Sequence, residues 1–250
     1  MEKPWEIKTN SERNADTLAT FIIFCEDQNS EPIYFKYFET SKIKVNVIKD
    51  QKSKLESIVN AICHCNENGL LDSSDPKSTI DKIDTYVWCV FDRDIEETPA
   101  KVAKGNVSFD NSIQLAQNKG IQIGWSNDSF ELWVLLHFID LDSLEKPVSR
   151  KYYYDELTKI FKKLNNPTKD LEKALKYPNF SYKDSLKSDN NFRYIVRPQL
   201  IKNIKVALKR AEILERYFLK QNINPHLMNP CTTIHHLVKQ LLEYGQKEIS

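Results

Sequence analysis

The sequence predicts an α/β fold: a parallel-sheet domain over residues 18–140, followed by a basic α-helical region over 141–250 packed on it. Three observations carry that expectation. Short apolar runs alternate with amphipathic stretches between residues 18 and 138, which is the rhythm of strands and helices in a parallel sheet. The run Val87-Trp88-Cys89-Val90-Phe91 is unbroken and stops abruptly at Asp92-Arg93-Asp94, as a strand covered on both faces does on reaching the sheet edge. From about residue 150 onward, apolar residues recur only at helical spacing.

Composition narrows the functional classes. With 250 residues, 40% of them hydrophobic and 28% charged, the chain can bury a core of ordinary size. No apolar run is long enough to span a bilayer. Residues 1–17 are polar, lack the apolar core of a signal peptide and read as a lead-in. A cytoplasmic protein with no membrane partner is expected. Five cysteines without framework spacing predict reduced thiols. Cys63-His64-Cys65 are too close together for a standard zinc pair and read as helix. The net charge of +1 conceals an asymmetry: residues 151–220 hold 17 Lys and Arg against 8 Asp and Glu. Such a region can hold a polyanion against an acidic remainder.

The elements follow in order. Residues 18–25 form a first buried strand, ending at Glu26 and Asp27. Ser30, as N-cap, and Pro32 open a helix with Ile33, Tyr34, Tyr37 and Phe38 on its apolar face. Residues 44–48 alternate as a second strand. Residues 55–66 are amphipathic, with Gly69 beyond their end. After a polar loop comes the strand that ends at Asp92. Residues 95–108 read as a loop over the site, 109–118 as a short helix stopped by Gly120, and 121–125 as a further strand. An apolar helix occupies 129–138. Helices are expected at 152–164, 171–177 and 198–220, and a last one carries Ile234, Leu237, Val238, Leu241 and Leu242.

The chemistry-bearing residues cluster by position. Glu26 follows the first strand; Asp92 and Asp94 follow the third. In a parallel sheet all carboxyl ends share one edge, so these groups should converge there. Two carboxylates at i and i+2 on extended backbone point the same way, and converging carboxylates suit Mg2+ or Mn2+. Asp27, Glu31, Asp128 and Glu131 are further candidates for that edge; Glu131 stands out as a charge within an apolar helix. Arg93 or Lys101 is a candidate phosphate contact. Lys183, Arg193 and Arg197, interleaved with Tyr182, Phe192 and Tyr194, form the pattern that holds nucleic acid through phosphates and stacked bases. His137, His235 and His236 lie on apolar helices and read as packing residues. The chain has no nucleotide-binding glycine motif and no G-x-S-x-G elbow.

A Glu after the first strand with Asp-x-Asp after the third resembles the Toprim domains of topoisomerases, primases and certain nucleases. Where that pattern has Gly after the Glu, this chain has Asp27. More specifically, FCEDQNSEPIYFKYF at 24–38, VWCVFDRD at 87–94, SNDSFELWVLLHF at 126–138 and NPCTTIHHLV at 229–238 resemble the RloB family of bacterial abortive-infection proteins. That resemblance implies a Toprim-like, Rossmann-like domain and a Mg2+- or Mn2+-dependent nuclease used in phage defence. Glu26, Asp92 and Asp94 would be its metal ligands and catalytic groups. It also implies a nucleic-acid substrate (RNA, tRNA included, or DNA) and a partner ATPase of the same system; a homodimer fits as well. Two other classes stay open. A non-catalytic Toprim-like subunit would only bind the ATPase. A dehalogenase-type phosphatase would use Asp92 as nucleophile, Asp94 as acid/base and Ser126 for phosphate.

Overall fold

The computed structural model describes residues 18–49, 51, 54–80, 82–95, 98–141 and 148–246; the 1–17 lead-in lies outside them. Five strands form one sheet: β1 (Ala19–Cys25), β2 (Ile43–Ile48), β3 (Thr85–Asp92), β4 (Gln122–Asn127) and β5 (Cys231–Thr232). Their order is β2-β1-β3-β4-β5. The first four are parallel, and β5 runs antiparallel to β4.

Strand alternation divides the core into two layers. Phe21, Ile23, Trp88 and Val90 enter one layer; Ile22, Phe24, Val87, Cys89 and Phe91 enter the other. The second layer is closed by α2 (Lys54–Glu67) and α3 (Pro99–Asn118). The first is closed by α1 (Ser30–Lys36), α4 (Glu131–Leu136), α5 (Arg150–Lys162) and α6 (Lys169–Leu175), then, after the short α7 (Asp189–Asn191), which buries no residue, by α8 (Arg197–Lys202), α9 (Ile204–Leu219) and α10 (Ile234–Gly245), with π-helical turns at Tyr182–Leu186 and Phe192–Val196. One continuous apolar cluster therefore joins the sheet to the helical region. At its centre Tyr34, fully buried, packs edge-on against Phe35, Phe38, Phe130 and Trp133.

Several expectations need correction. Pro99–Asn118 is one long helix rather than a loop and a short helix. Thr98-Pro99 and Gly105 look like breakers, yet Pro99 sits at the helix start, where its missing N–H costs nothing. The helix ends at Lys119 and Gly120, the latter at φ 70°, as anticipated for a glycine stop. Ser30 is inside α1 and not its cap; the Asp27 carboxylate instead accepts the Asn29 and Ser30 N–H groups at 3.2 and 3.0 Å. The 198–220 helix is broken at Asn203, which ends α8 and whose carbonyl accepts the Val206 and Ala207 N–H groups. The C-terminal region is not helix alone, because β5 pairs with the sheet: Ser126 opposite Thr232, Asn127 opposite Cys231. The described residues hold five free cysteines, with Cys63 and Cys65 on α2.

Candidate functional site

β1 feeds a chain that returns as β2 on one side, while β3 lies on its other side. The gap between the carboxyl ends of β1 and β3 is thus a switch point, the place where open α/β sheets bind ligands. Glu26 and Asp92 flank it. The Asp92 N–H donates to Glu26 Oε2 at 3.0 Å across that gap, so the two residues meet at one edge. Glu31, on the first turn of α1, closes over it and accepts the Asp27 N–H at 3.1 Å. Glu131 opens α4 on the same side.

Burial and mutual repulsion shape these groups. Asp92 is half-buried, but its Oδ1 is enclosed and takes no hydrogen bond among the described residues. Burial pushes its carboxyl well above the usual range, and Glu31, Glu26, Asp94 and Glu131 push it further. Glu31 is raised likewise, by burial first and then by Asp27. Burial and Asp94 raise Glu26 to about 6, against the Asp92 N–H, Lys54 and Arg150. Burial and like charge together thus favour the neutral form of these carboxyls unless a counter-charge is supplied.

Asp94 behaves differently. Its φ of 50° ends the extended alternation, so the i, i+2 geometry anticipated from the strand does not continue. Its carboxylate is gripped from two sides, by Lys54 Nζ at 2.9 Å and by the Arg150 guanidinium. Burial opposes ionisation there, but the two cations win and hold its pKa below the ordinary value. Asp128 belongs to the same knot. It accepts the Ile95 N–H at 2.8 Å, the Arg150 N–H at 3.0 Å and the Arg150 side chain. With its acceptor sites so filled, Asp128 is a fastener rather than a ligand.

Sequence reasoning missed the cations. Lys54 and Arg150 open helices and Lys187 follows a π-helical turn, positions that look solvated in the sequence. Lys187 Nζ reaches the buried Glu131 carboxylate at 2.7 Å. Burial disfavours the lysine's charge, yet Glu131 raises its pKa overall. The signal that could have found these three was the number of acids at the edge, which demands nearby counter-charge.

Other candidates are placed elsewhere. Arg93 is buried and turned to the α3 layer, where its guanidinium meets Asn106 and the Asp94 carbonyl; it is not presented to a phosphate at the carboxylates. Lys101 is exposed on the first turn of α3. Ser126 is fully buried and bonded to Thr232 Oγ1 at 2.9 Å, which removes the phosphate-binding serine that a dehalogenase-type site would need.

Residues 21–241 match the protein family described as RloB-like protein. The chain belongs to the RloB-like protein family. No curated protein and no solved structure matched it. The matched span runs from β1 into α10 and so includes every residue of the carboxylate edge.

In this RloB-like chain one of the basic candidates, Arg193, borders β2. A cavity of about 400 Å³ there is lined by Pro32, Lys36, Val45, Asn46, Lys49 and Arg193 among others. Arg193 pairs with Asp189 at 3.0 Å, Arg197 lies over the Tyr37 ring at 5.3 Å, and exposed Lys183 lies over Tyr154 at 5.9 Å. His137 is a packing residue as anticipated: it contacts the Trp133 carbonyl at 2.8 Å, and burial drives its pKa to about 3. Among the described residues, no helix is long and apolar enough to cross a membrane.

Proposed function

We propose that this RloB-like protein is a Toprim-type nuclease that cleaves phosphodiester bonds with Mg2+ or Mn2+, as an effector in defence against phage. The observation that carries it is the enclosed, unbonded Asp92 Oδ1 at the β1/β3 switch point, ringed by Glu26, Glu31 and Glu131. Family membership is consistent with the defence role.

The donors fit a hard divalent cation, because every one is a carboxylate oxygen and the group repels itself without a counter-charge. Glu26, Asp92 and Asp94 would hold it, Asp94 through whatever share of its carboxylate Lys54 and Arg150 leave. When bound, such a cation supplies charge neutralisation at the phosphate and a more acidic water. The remaining work falls to the chain. Lys54 and Arg150 keep Asp94 ionised and fix the strand end. Lys187 steadies Glu131. Glu26 ties the two strand ends together by accepting the Asp92 N–H. Lys36, Lys49 and Arg193 give an approaching polyanion a basic border at β2. Control by a partner ATPase, and pairing into a homodimer, rest on the family resemblance.

The test is incubation of the purified protein with Mg2+ or Mn2+ against separate DNA and total-RNA pools. Cleavage of one pool, abolished by chelation and by Asp92→Asn, is the expected result. Intact pools under both metals, with phage protection retained by Asp92→Asn, would instead make the chain a non-catalytic binding subunit.

A further inference from the structure

A second polar cluster lies away from the carboxylate edge, where α9 meets α10. Glu215 comes from α9; His235 and His236 are consecutive on α10. Their donor atoms all lie within 4.8 Å of one another. His236 Nε2 is 2.9 Å from both Glu215 oxygens. His235 is fully buried, and its Nδ1 lies 3.2 Å from the Thr232 carbonyl. A carbonyl can only accept, so Nδ1 carries the proton and Nε2 of the neutral ring is a bare lone pair. That Nε2 is enclosed, makes no hydrogen bond among the described residues, and lies 3.2 Å from Glu215 Oε2. Two acceptors thus face each other at contact distance, the histidine one fully enclosed.

We propose that Glu215, His235 and His236 bind one Zn2+ ion that clamps α9 to α10. Two imidazole nitrogens and one carboxylate oxygen form a donor set that zinc accepts while keeping a fourth position for water or ligand. The Nδ1 contact of His235 with a backbone carbonyl is the outer support that metal-binding histidines normally have. Glu215 and His236 also line a cavity of about 640 Å³ walled by Trp88, Ile113, Trp125 and Met228, so the fourth position opens onto an apolar chamber. The carboxylate edge, oxygen-only, belongs to a different class of ion.

The full-length chain, stripped with a chelator and dialysed, is titrated with Zn2+ by calorimetry and with Co2+ as an optical probe. One ion per chain is expected, with the intense visible bands of a four-coordinate nitrogen–oxygen site. Glu215→Gln keeps the side-chain size, and His236→Ala alters a half-exposed position, so both variants should fold. Each should weaken Zn2+ binding by at least about tenfold and lose the bands, and Zn2+ should raise the Tm of the parent only. Asp92→Asn should change none of this. Absence of Zn2+ binding, or affinity and bands unaltered in both variants, overturns the proposal and leaves a proton-mediated contact between two helices.

Discussion

At the end of β3, Asp92 faces Glu31, Glu26, Asp94 and Glu131, whereas Asp94, two residues on, lies between Lys54 and Arg150. The same side chain meets opposite surroundings within one turn of backbone. Alternation sends Asp92 into the layer where three glutamates converge; the positive φ of Asp94 swings its carboxylate toward the cations of α2 and α5. A neutralised carboxylate holds elements together and gains less from a further cation. One surrounded by its own kind weakens the apo fold and is relieved by a cation.

The largest effect should come from exchanging these roles. Asp92→Asn should cut nucleic-acid cleavage roughly 100-fold or more, beyond the range that supporting residues around a metal usually cost. Its Tm without metal should stay level or rise, because a repelled carboxylate is gone. Asp94→Asn should lower the Tm under the same conditions. A lowered Tm for Asp92→Asn beside an unchanged or raised one for Asp94→Asn would break the comparison.

Asp128→Ala tests the neutralised side alone. It strips acceptors from the Ile95 N–H, the Arg150 N–H and the Arg150 guanidinium. Urea unfolding should show a loss of about 3 kcal/mol, in keeping with a broken, largely buried ion pair. A loss indistinguishable from zero would mean that water replaces the knot freely.

Proton linkage gives a third, smaller effect. The folded state raises Glu26 from 4.5 to about 6, and Asp92 and Glu31 upward as well. The folded chain therefore binds more protons than the unfolded one. Stability should fall as pH rises from about 4 through 6 and onward, with Glu26 alone contributing about 2 kcal/mol. Asp94, held low, contributes stability of the opposite sign, lost only as pH falls through its depressed pKa. Mg2+ should flatten the decline at alkaline pH, which melts at pH 5 and 8 with and without the ion would measure. The smallest effect belongs to the rim: Arg193→Ala and Lys49→Ala should each weaken polyanion binding modestly and lessen its salt slope by roughly one unit.

Much of this was legible in the chain. β1, β3 and β4 announce themselves through apolar runs that stop at Glu26, Asp92 and Ser126, and Glu131 through its charge among Leu132, Trp133 and Val134. Glu26 and Asp92 could be placed together because parallel strands share an edge. Lys54, Arg150 and Lys187 could not, since a basic residue on a helix surface looks the same whether it meets water or a distant aspartate. β5 was hidden because two residues, Cys231 and Thr232, carry no periodic signal. The early start of α3 was masked by Thr98-Pro99 and Gly105, which local propensity reads as a loop while burial of Phe109 and Ile113 favours helix.

The pairing of β5 with β4 has a consequence for synthesis. Residues 122–127 leave the ribosome more than a hundred residues before their outer partner at 231–232. Until then β4 is a naked edge, with backbone groups open to any neighbouring chain. Contacts so far apart in sequence form slowly. A growing chain, or one truncated before residue 231, is thus exposed to strand-to-strand clumping. The short antiparallel pair at Ser126 and Asn127, with the Thr233 N–H on the Trp125 carbonyl, covers the carboxyl end of that edge.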